Sequence, residues 1–370
     1  MSSKNNQKKK TFLVTGATGL IGSDLIKEIS KFPFVKIHLI VRKQSIEKAK
    51  LIFSSEIKKD IVFLHEGDLT KKKFLPETIP INHITDFIHA AALYDLESKI
   101  EDLYIQNVLA TNNIIDEIQH FSQLEYFHYL STYAVQQGNG KRYFEDQLEL
   151  TGPKFPYEWS KFKAEEILRN KSKMLSKKIK IRIYRPGVVI GNFSEDSLPR
   201  IDGPFYLLKA VFENNTLKKI LTLFAKSPIP FAYKKKASVP LIAITSLIKA
   251  LEKIILYPVT LEKQSENQII TYHLTPENPV SILFFLKRTL SSVTNYNKIN
   301  LLPVSKKFFS PLFRILNIPI VLQDYFHSTD QYDITNLKSH YPEVIALLHF
   351  SEQKVEKLIR FSKKQYCKQF

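Results

Sequence analysis

The chain has 370 residues, and its 54 Lys and Arg against 36 Asp and Glu give a formal net charge of +18. With 44% hydrophobic and 24% charged residues, the composition is that of a globular protein and excludes an intrinsically disordered chain. The single cysteine, Cys367, excludes an intrachain disulfide and a cysteine-based zinc site. The sequence contains no uncharged apolar run of about 18 residues, so a membrane-spanning helix is not predicted.

The first half of the chain alternates strand and helix patterns after a lysine-rich N-terminus, residues 1–10, that we expect to be disordered. This alternation is typical of an α/β protein, and it predicts a Rossmann-type, doubly wound parallel sheet over residues 11–191. Predicted strands cover 11–15, 35–41, 61–64, 86–92, 125–131 and 180–184, and predicted helices cover 20–31, 97–121 and 157–172.

After residue 191 prolines and aromatic residues become frequent, which predicts a smaller, mostly helical substrate-binding lobe over residues 192–370. An amphipathic helix is predicted at 242–256, and residues 272–274 are expected to return a strand to the main sheet. The apolar stretch 308–321 predicts packing of the lobe over the active site, with a lipid-facing or acyl-chain entrance patch as the alternative.

Three glycines fall within seven positions in the segment TGATGLIG, residues 15–22, which follows a strand and opens a helix. That context is typical of a dinucleotide-binding turn. Gly16 is expected to permit the tight turn, Gly19 to let a pyrophosphate approach the helix N-terminus, and Gly22 to let the helix pack on the sheet.

The end of the second strand carries Arg42 and Lys43, where an NAD-specific site would carry Asp or Glu. A basic pair here favours a 2′-phosphate, so NADP(H) is the preferred cofactor, although NAD(H) stays open. Asp68, at the end of the third strand, is expected either to meet the adenine side of the cofactor or to be an ordinary turn acid.

Tyr157 and Lys161 are four residues apart on one face of a predicted helix. An ammonium near a phenol favours the phenolate, so Tyr157 is the predicted acid that exchanges a proton with a substrate oxygen. The preceding strand ends in Ser131 and Thr132, whose hydroxyls are expected to bind the same oxygen.

His89 is predicted to be a packing or backbone-bonding residue beside the cofactor, and the small residues 90–92 to leave room for the dinucleotide. The histidines and acidic residues do not have the spacing of metal ligands, so no metal is predicted. The sequence has no G-x-S-x-G motif, which argues against a serine hydrolase. It also has no recognisable nucleic-acid-binding module.

The segments TGATGLIG, HAAA, LSTYAV, YEWSK and YRPGVVIGN resemble those of the extended short-chain dehydrogenase/reductase family in order and spacing. This resemblance implies that Asn107 supports a water relay to Lys161, and that Thr132 is the catalytic hydroxyl, with Ser131 as the alternative. It also implies that residues 186–188 lie against the nicotinamide. The candidate cofactor contacts are Gly16, Thr18, Gly19, Leu20, Ile21, Gly22, Arg42, Asp68, Leu69, Ala90, Ala91, Lys161, Pro186 and Val188.

A narrower resemblance links AALYDL (91–96) and RIDGPFY (200–206) to bacterial reductases of acyl thioesters, including fatty acyl-CoA reductases. Residues 202–208 are mostly aromatic or aliphatic and are predicted to form the wall of an acyl pocket. The candidate substrate contacts are Ser131, Tyr94, Gly203 and Phe205.

The leading hypothesis is therefore an NADPH-dependent reductase of a long-chain acyl thioester or a related apolar carbonyl. The alternatives are an enzyme acting on a nucleotide sugar or a hydroxysteroid, and a non-catalytic NADP-binding sensor. Tyr157 and Lys161 argue against the sensor, which would need only the glycine turn. A cytoplasmic protein with a small-molecule substrate is expected, and both peripheral membrane contact and a homodimer stay open.

Overall fold

The computed structural model describes residues 9–95, 98–138, 140–149, 155–176, 178–191, 203–259, 268–320 and 322–367. Residues 1–8 of the expected disordered terminus and residue 202 of the expected pocket wall lie outside this set, as do residues 200–201 of the RIDGPFY segment.

The strands that the sequence alternation predicts through residue 184 are all present in the described chain, and the short strands at 142–143 and 188–190 were not predicted. They are β1 (Lys10–Thr15), β2 (Val35–Val41), β3 (Val62–Glu66), β4 (Asp86–His89), β5 (Tyr126–Leu130), β6 (Arg142–Tyr143), β7 (Lys180–Pro186), β8 (Val188–Ile190), β9 (Ile229–Phe231), β10 (Ser238–Val239), β11 (Leu241–Ala243), β12 (Ile269–Leu274), β13 (Val280–Ser281), β14 (Leu301–Pro303) and β15 (Gln331–Tyr332).

The helices become more frequent in the second half. They are α1 (Leu20–Ile29), α2 (Ile46–Ile52), α3 (Ser54–Lys58), α4 (Ile100–Leu103), α5 (Ala110–Ile118), α6 (Pro156–Ser172), α7 (Pro204–Glu213), α8 (Asn215–Leu223), α9 (Ile244–Leu256), α10 (Ile282–Thr294), α11 (Lys306–Ile315), α12 (Leu322–Tyr325), α13 (Thr335–His340), α14 (Pro342–Leu348) and α15 (Glu352–Tyr366). None of the described helices is long and apolar enough to cross a membrane.

Seven of these strands form one parallel sheet in the order β12-β7-β5-β4-β1-β2-β3. The strand order reverses between β1 and β4, because later strands are added on the opposite side of β1 from β2 and β3. A crevice therefore opens at the carboxyl ends of β1 and β4, where dinucleotides bind in such sheets. The Rossmann-type fold is thereby confirmed, and β12 contains the segment 272–274 that was expected to return to the sheet.

Several predicted elements have different bounds, and three of these differences have a structural cause. The strand expected over 86–92 ends at His89, because the glycine turn packs against the backbone that follows it. The helix expected over 97–121 is divided by a π-helical segment, Tyr104–Leu109. The helix expected from residue 242 begins at Ile244, because the preceding β11 pairs with β8.

The hydrophobic interior is divided between the sheet and a lobe. Leu251 and Val344 from the second half pack with Val14 and Leu25 on one face of the sheet, and α5 and α6 contribute to a cluster with Leu13 and Phe127. A separate cluster holds α7, α10 and α15 together, and it includes the apolar residues of the expected pocket wall. The sheet therefore carries the glycine turn while the lobe lies beside β8.

Candidate active site

The glycine turn between β1 and α1 needs glycine at two positions for steric reasons. Gly16 has a φ of +78°, and a Cβ there would lie 2.6 Å from the carbonyl oxygen of Ala90. A Cβ on Gly22 would overlap the carbonyl oxygen of Gly16. Gly22 therefore lets the helix close on its own turn, and the expectation that it also lets the helix pack on the sheet stays a prediction.

This turn lines a cavity of about 440 Å³ at the carboxyl ends of β1, β2 and β4. Of the residues predicted to contact a cofactor, Gly16, Thr18, Gly19, Arg42, Asp68, Leu69, Ala90 and Ala91 line it. Leu20, Ile21 and Gly22 are outside this lining, and the side chain of Leu20 is exposed because it begins the solvent side of α1.

Ser45 also lines the cavity, and the sequence interpretation missed it. Its signal is only a polar residue three positions after Arg42. Asp68 faces the same cavity as Arg42. Although burial opposes it, hydrogen bonds from Thr70 and the charges of Lys71 and Arg42 hold the pKa of Asp68 below its usual value. The carboxylate is therefore ionised beside the guanidinium.

His89 is a buried residue at the end of β4. Its Nδ1 lies 2.7 Å from Thr15 Oγ1 and its Nε2 lies 3.1 Å from Thr111 Oγ1, so it bonds two hydroxyls rather than the backbone. Burial, assisted by the charge of Lys161, lowers its pKa to about 3. His89 is therefore neutral and joins β1, β4 and α5 behind the cavity.

Tyr157 lies in the first turn of α6, after Phe155 at the N-cap and Pro156 at the first helical position. Its ring meets the ring of Tyr94 edge to face, with centroids 4.7 Å apart. Tyr94 follows Leu93, which lines the cavity at the glycine turn. The structure thus brings the predicted acid and a predicted substrate contact together at the edge of this cavity.

Lys161 lies one turn further along α6 and is buried. Its Nζ donates a hydrogen bond of 2.6 Å to the carbonyl oxygen of Leu130 and lies 4.4 Å from the ring centroid of Tyr129. Burial lowers its pKa to about 7, despite the opposing charge of Glu165. Near neutral pH this side chain can therefore hold or release a proton.

The two hydroxyls after β5 have different surroundings. Ser131 is buried and its Oγ donates to Glu165 Oε2 at 2.8 Å, so its proton is not available to a substrate oxygen. The assignment of Ser131 as a substrate contact is not supported by this geometry. Thr132 is half-buried, and its Oγ1 accepts from the Ala134 N–H at 3.3 Å, which leaves the hydroxyl proton to be donated.

A buried ion pair lies behind these residues, and the sequence interpretation did not find it. Arg185 is fully buried, and it donates to both oxygens of Glu165, at 2.5 and 3.2 Å, and to Gln136 Oε1 at 2.6 Å. Burial opposes ionisation of Glu165, but Arg185 and Arg169 lower its pKa to about 2. In the sequence, this ion pair is indicated only by the arginine in YRPG and by a glutamate one turn after Lys161.

Asn107 lies in the π-helical segment and holds the loop that precedes it. Its Oδ1 accepts from the Leu93 N–H at 2.7 Å, and its Nδ2 donates to the Leu93 carbonyl at 3.0 Å and to Ser160 Oγ at 2.9 Å. It therefore ties the Leu93–Tyr94 segment to the residue before Lys161. π-Helical turns are frequent at functional sites.

A second cavity of about 370 Å³ is lined by Phe155, two residues before Tyr157. Tyr133 and Phe155 line it from the sheet side, and Pro240 lines it beside the expected nicotinamide loop, where its carbonyl accepts from the Val188 N–H at 2.8 Å. Lys234, Lys306 and His327 are among its polar lining residues.

An apolar slot of about 30 Å³ adjoins the same loop and is lined by Val188, Gly203, Val239, Phe285 and Leu322, among others. Gly203 has a φ of +47°, and a Cβ there would lie 3.1 Å from Val188 Cγ1.

The expected pocket wall is only partly correct. Gly203 and Pro204 line the slot, but Phe205 is 2% exposed and packs inside the core of the lobe. Phe205 is therefore a core residue here rather than a substrate contact.

The sequence model of the family described as Male sterility protein matches residues 14–229 of the chain. No curated protein matches the chain at a significant level.

Three solved structures illustrate the shared fold. The terminal R domain from the myxalamid PKS-NRPS biosynthetic pathway is 19% identical with a TM-score of 0.69, over 98% of this chain and 92% of that one. A thiolation-reductase di-domain from an archaeal non-ribosomal peptide synthetase is 17% identical with a TM-score of 0.65, over 97% and 76%. UDP-glucuronic acid 4-epimerase from Bacillus cereus, in complex with NAD, is 15% identical with a TM-score of 0.58, over 94% and 99%.

Proposed function

Because the chain belongs to the male sterility protein family and is an NAD(P)-dependent oxidoreductase of the extended short-chain dehydrogenase/reductase type, we propose that it reduces an acyl thioester with NADPH. The observation that carries this proposal is that residues close to Tyr157 line two cavities. Leu93, next to its ring partner Tyr94, lines the first cavity, and Phe155 lines the second. A cofactor in one cavity and a thioester in the other would meet at Tyr157.

The first cavity suits a dinucleotide. Gly19 is the N-cap residue of α1. This helix has ten residues, and its first N–H groups can hold a pyrophosphate. The close approach of Gly16 to Ala90 keeps the floor of the cavity free of side chains. When bound there, the reduced nicotinamide would supply the hydride, so that an acyl thioester, one hydride and one proton give an aldehyde and a thiol.

The chain's own residues would stabilise the carbonyl oxygen. Thr132 donates its hydroxyl proton to that oxygen, because its Oγ1 already accepts the Ala134 N–H. Tyr157 donates the second hydrogen bond and transfers its proton as negative charge develops. Lys161, with a pKa of about 7, supports the phenolate and can return the proton.

NADPH is the proposed cofactor because Arg42 lines the first cavity at the end of β2. A charge-assisted contact to a 2′-phosphate contributes roughly 1.5–3 kcal/mol. Arg42→Ala should therefore weaken NADPH binding about 10- to 100-fold, measured by fluorescence titration, and leave NADH binding nearly unchanged. An equal loss for both cofactors, or a native preference for NADH, would contradict this assignment.

The apolar slot supports an acyl group as the part of the substrate next to the reacting carbon. At about 30 Å³ it has room for a small group only, so a long chain needs α7 and α10 to move apart around Phe285. Each methylene that becomes buried contributes about 0.8 kcal/mol, so kcat/KM should rise up to several-fold per carbon until the slot is filled.

The deciding experiment is anaerobic NADPH oxidation with acyl-CoAs of increasing chain length, the matching aldehydes and a set of nucleotide sugars. The proposal requires one thiol released for each NADPH consumed, and an aldehyde that a hydrazine can trap. Turnover of nucleotide sugars alone would replace it.

A nucleotide-sugar enzyme is the second candidate because the second cavity is polar and includes Lys234. Cationic groups suit a diphosphate as well as the phosphates of coenzyme A. The arms of the same experiment separate the two candidates.

A further inference from the structure

One stretch of the chain, residues 214–251, contains no Asp or Glu, although 36 such residues in 370 would place about four in a stretch of this length. It carries seven lysines: Lys218, Lys219, Lys226, Lys234, Lys235, Lys236 and Lys249. Only Lys249 forms an ion pair within the part of the chain that the structure describes, with Glu28 and Glu252. The other six leave a local excess of positive charge on the lobe.

Helix α8 lies at the start of this stretch and has no buried residue. Leu217 and Leu221 pack partly against the lobe. Ile220, Leu223 and Phe224 point outward and are 48%, 78% and 53% exposed. Their spacing of three and four residues places them on one side of the helix.

Lysines border this apolar group. Lys219 and Lys226 are exposed, and Lys226 lies 6.0 Å from the ring centroid of Tyr296. We call Lys218, Lys219, Ile220, Leu223, Phe224 and Lys226 the basic apolar face. It combines protruding apolar side chains with lysines, which is the composition of segments that bind at a membrane interface.

We propose that the basic apolar face docks this protein on an anionic phospholipid surface, with Leu223 and Phe224 entering the headgroup boundary. The apolar side chains protrude from a helix rather than line a groove, so they suit a deformable lipid surface better than a rigid partner. The absence of acids over residues 214–251 removes the repulsion that anionic headgroups would otherwise meet.

The same stretch continues to the substrate side of the molecule. Lys234 lines the second cavity, and Lys235 and Lys236 are exposed beside it. Docking through this stretch would hold the cavity close to a surface from which an apolar acyl substrate can be drawn. The docking itself does not depend on which reaction the enzyme catalyses.

Co-sedimentation of the full chain with phosphatidylcholine vesicles, with and without phosphatidylserine, tests the proposal. We expect binding only with phosphatidylserine and its loss at high salt, since salt screens exposed charges. The Lys218→Gln/Lys219→Gln variant should bind roughly 30-fold more weakly, and Leu223→Glu/Phe224→Glu at least about tenfold more weakly.

Leu51→Glu is the matched control, because Leu51 is an 80% exposed leucine on α2, in the Rossmann part of the chain. All variants should keep the thermal unfolding midpoint and NADPH binding of the parent, since the changed side chains are at the surface. Equal binding to neutral vesicles, or the same loss in the Leu51 variant, would overturn the proposal. So would capture of an acidic carrier protein by this face without vesicle binding.

Discussion

Tyr157 can be tested as an acid because its ring and its hydroxyl have separable roles. Tyr157→Phe keeps a ring 4.7 Å from that of Tyr94 and removes the proton donor. We expect kcat to fall by at least about 10²-fold with little change in the Kd for NADPH. Tyr104→Phe, at a half-exposed tyrosine whose ring centroid lies 6.3 Å from that of Trp159, is the control and should be silent. Wild-type turnover in the Tyr157 variant would show that another group is the acid.

Lys161 illustrates how a candidate active-site residue can weaken the fold. Its pKa is about 7 in the folded protein against 10.5 in the unfolded chain, because burial disfavours the ammonium. Below pH 7 both states carry the proton, and the folded state bears the full cost. Between about pH 7 and 10.5 the unfolded chain binds more protons, so the free energy of unfolding rises with pH through this window.

Lys161→Met should therefore stabilise the protein while inactivating it. The gain at pH 6–7 is expected to be on the order of 2 kcal/mol, after allowance for the lost bond to Leu130, and to shrink toward pH 10. Urea unfolding at a series of pH values measures this difference. A variant that is less stable than the parent at pH 6 would show that the buried ammonium is fully compensated.

Among the elements, the turn between β1 and α1 depends on backbone contacts that a single methyl group would break. Gly22→Ala places a Cβ against the Gly16 carbonyl, so the helix must move away from the turn. We expect a loss of about 1–3 kcal/mol in stability and at least a tenfold loss in NADPH affinity. Gly191→Ala is the matched control, because a Cβ there meets nothing within 4 Å. Unchanged cofactor binding in the Gly22 variant would contradict this role.

At the scale of the whole molecule, Arg185 joins α6, β7 and β12. It bonds Glu165 on the helix and lies 3.1 Å from His273 Nε2 on the edge strand. Arg185→Met leaves Glu165 buried without its main partner. This substitution should lower the free energy of unfolding by about 3–5 kcal/mol.

The pH dependence of this loss identifies its cause. In the parent, the folded pKa of Glu165 is about 2 against 4.5 in the unfolded chain, so its contribution is complete above pH 4.5 and disappears as pH falls through 2. The deficit of Arg185→Met should therefore be largest above about pH 5 and shrink in acid. Glu165→Gln/Arg185→Met should recover part of it, and a deficit independent of pH would indicate lost packing alone.

Local patterns were sufficient to predict the sheet and the position of the glycine turn. β2 matches its predicted range of 35–41, and TGATGLIG lies at the boundary of β1 and α1, because alternation and glycine spacing act over a few residues. The same patterns identified Arg42 and Asp68 at strand ends, which parallel pairing brings to one edge of the sheet. The catalytic roles of Thr132, Tyr157, Lys161 and Asn107 remain predictions.

Side-chain partners and burial were decided only by the tertiary structure. Ser131 and Thr132 are neighbours in the sequence, but Glu165, 34 positions away, takes the proton of Ser131 and leaves that of Thr132. Phe205 has the composition of a pocket wall, but its place in the lobe core depends on α10 and α15. Likewise, the low pKa of Lys161 follows from its burial against β5. Such properties depend on contacts between distant segments, and local sequence spacing does not record them.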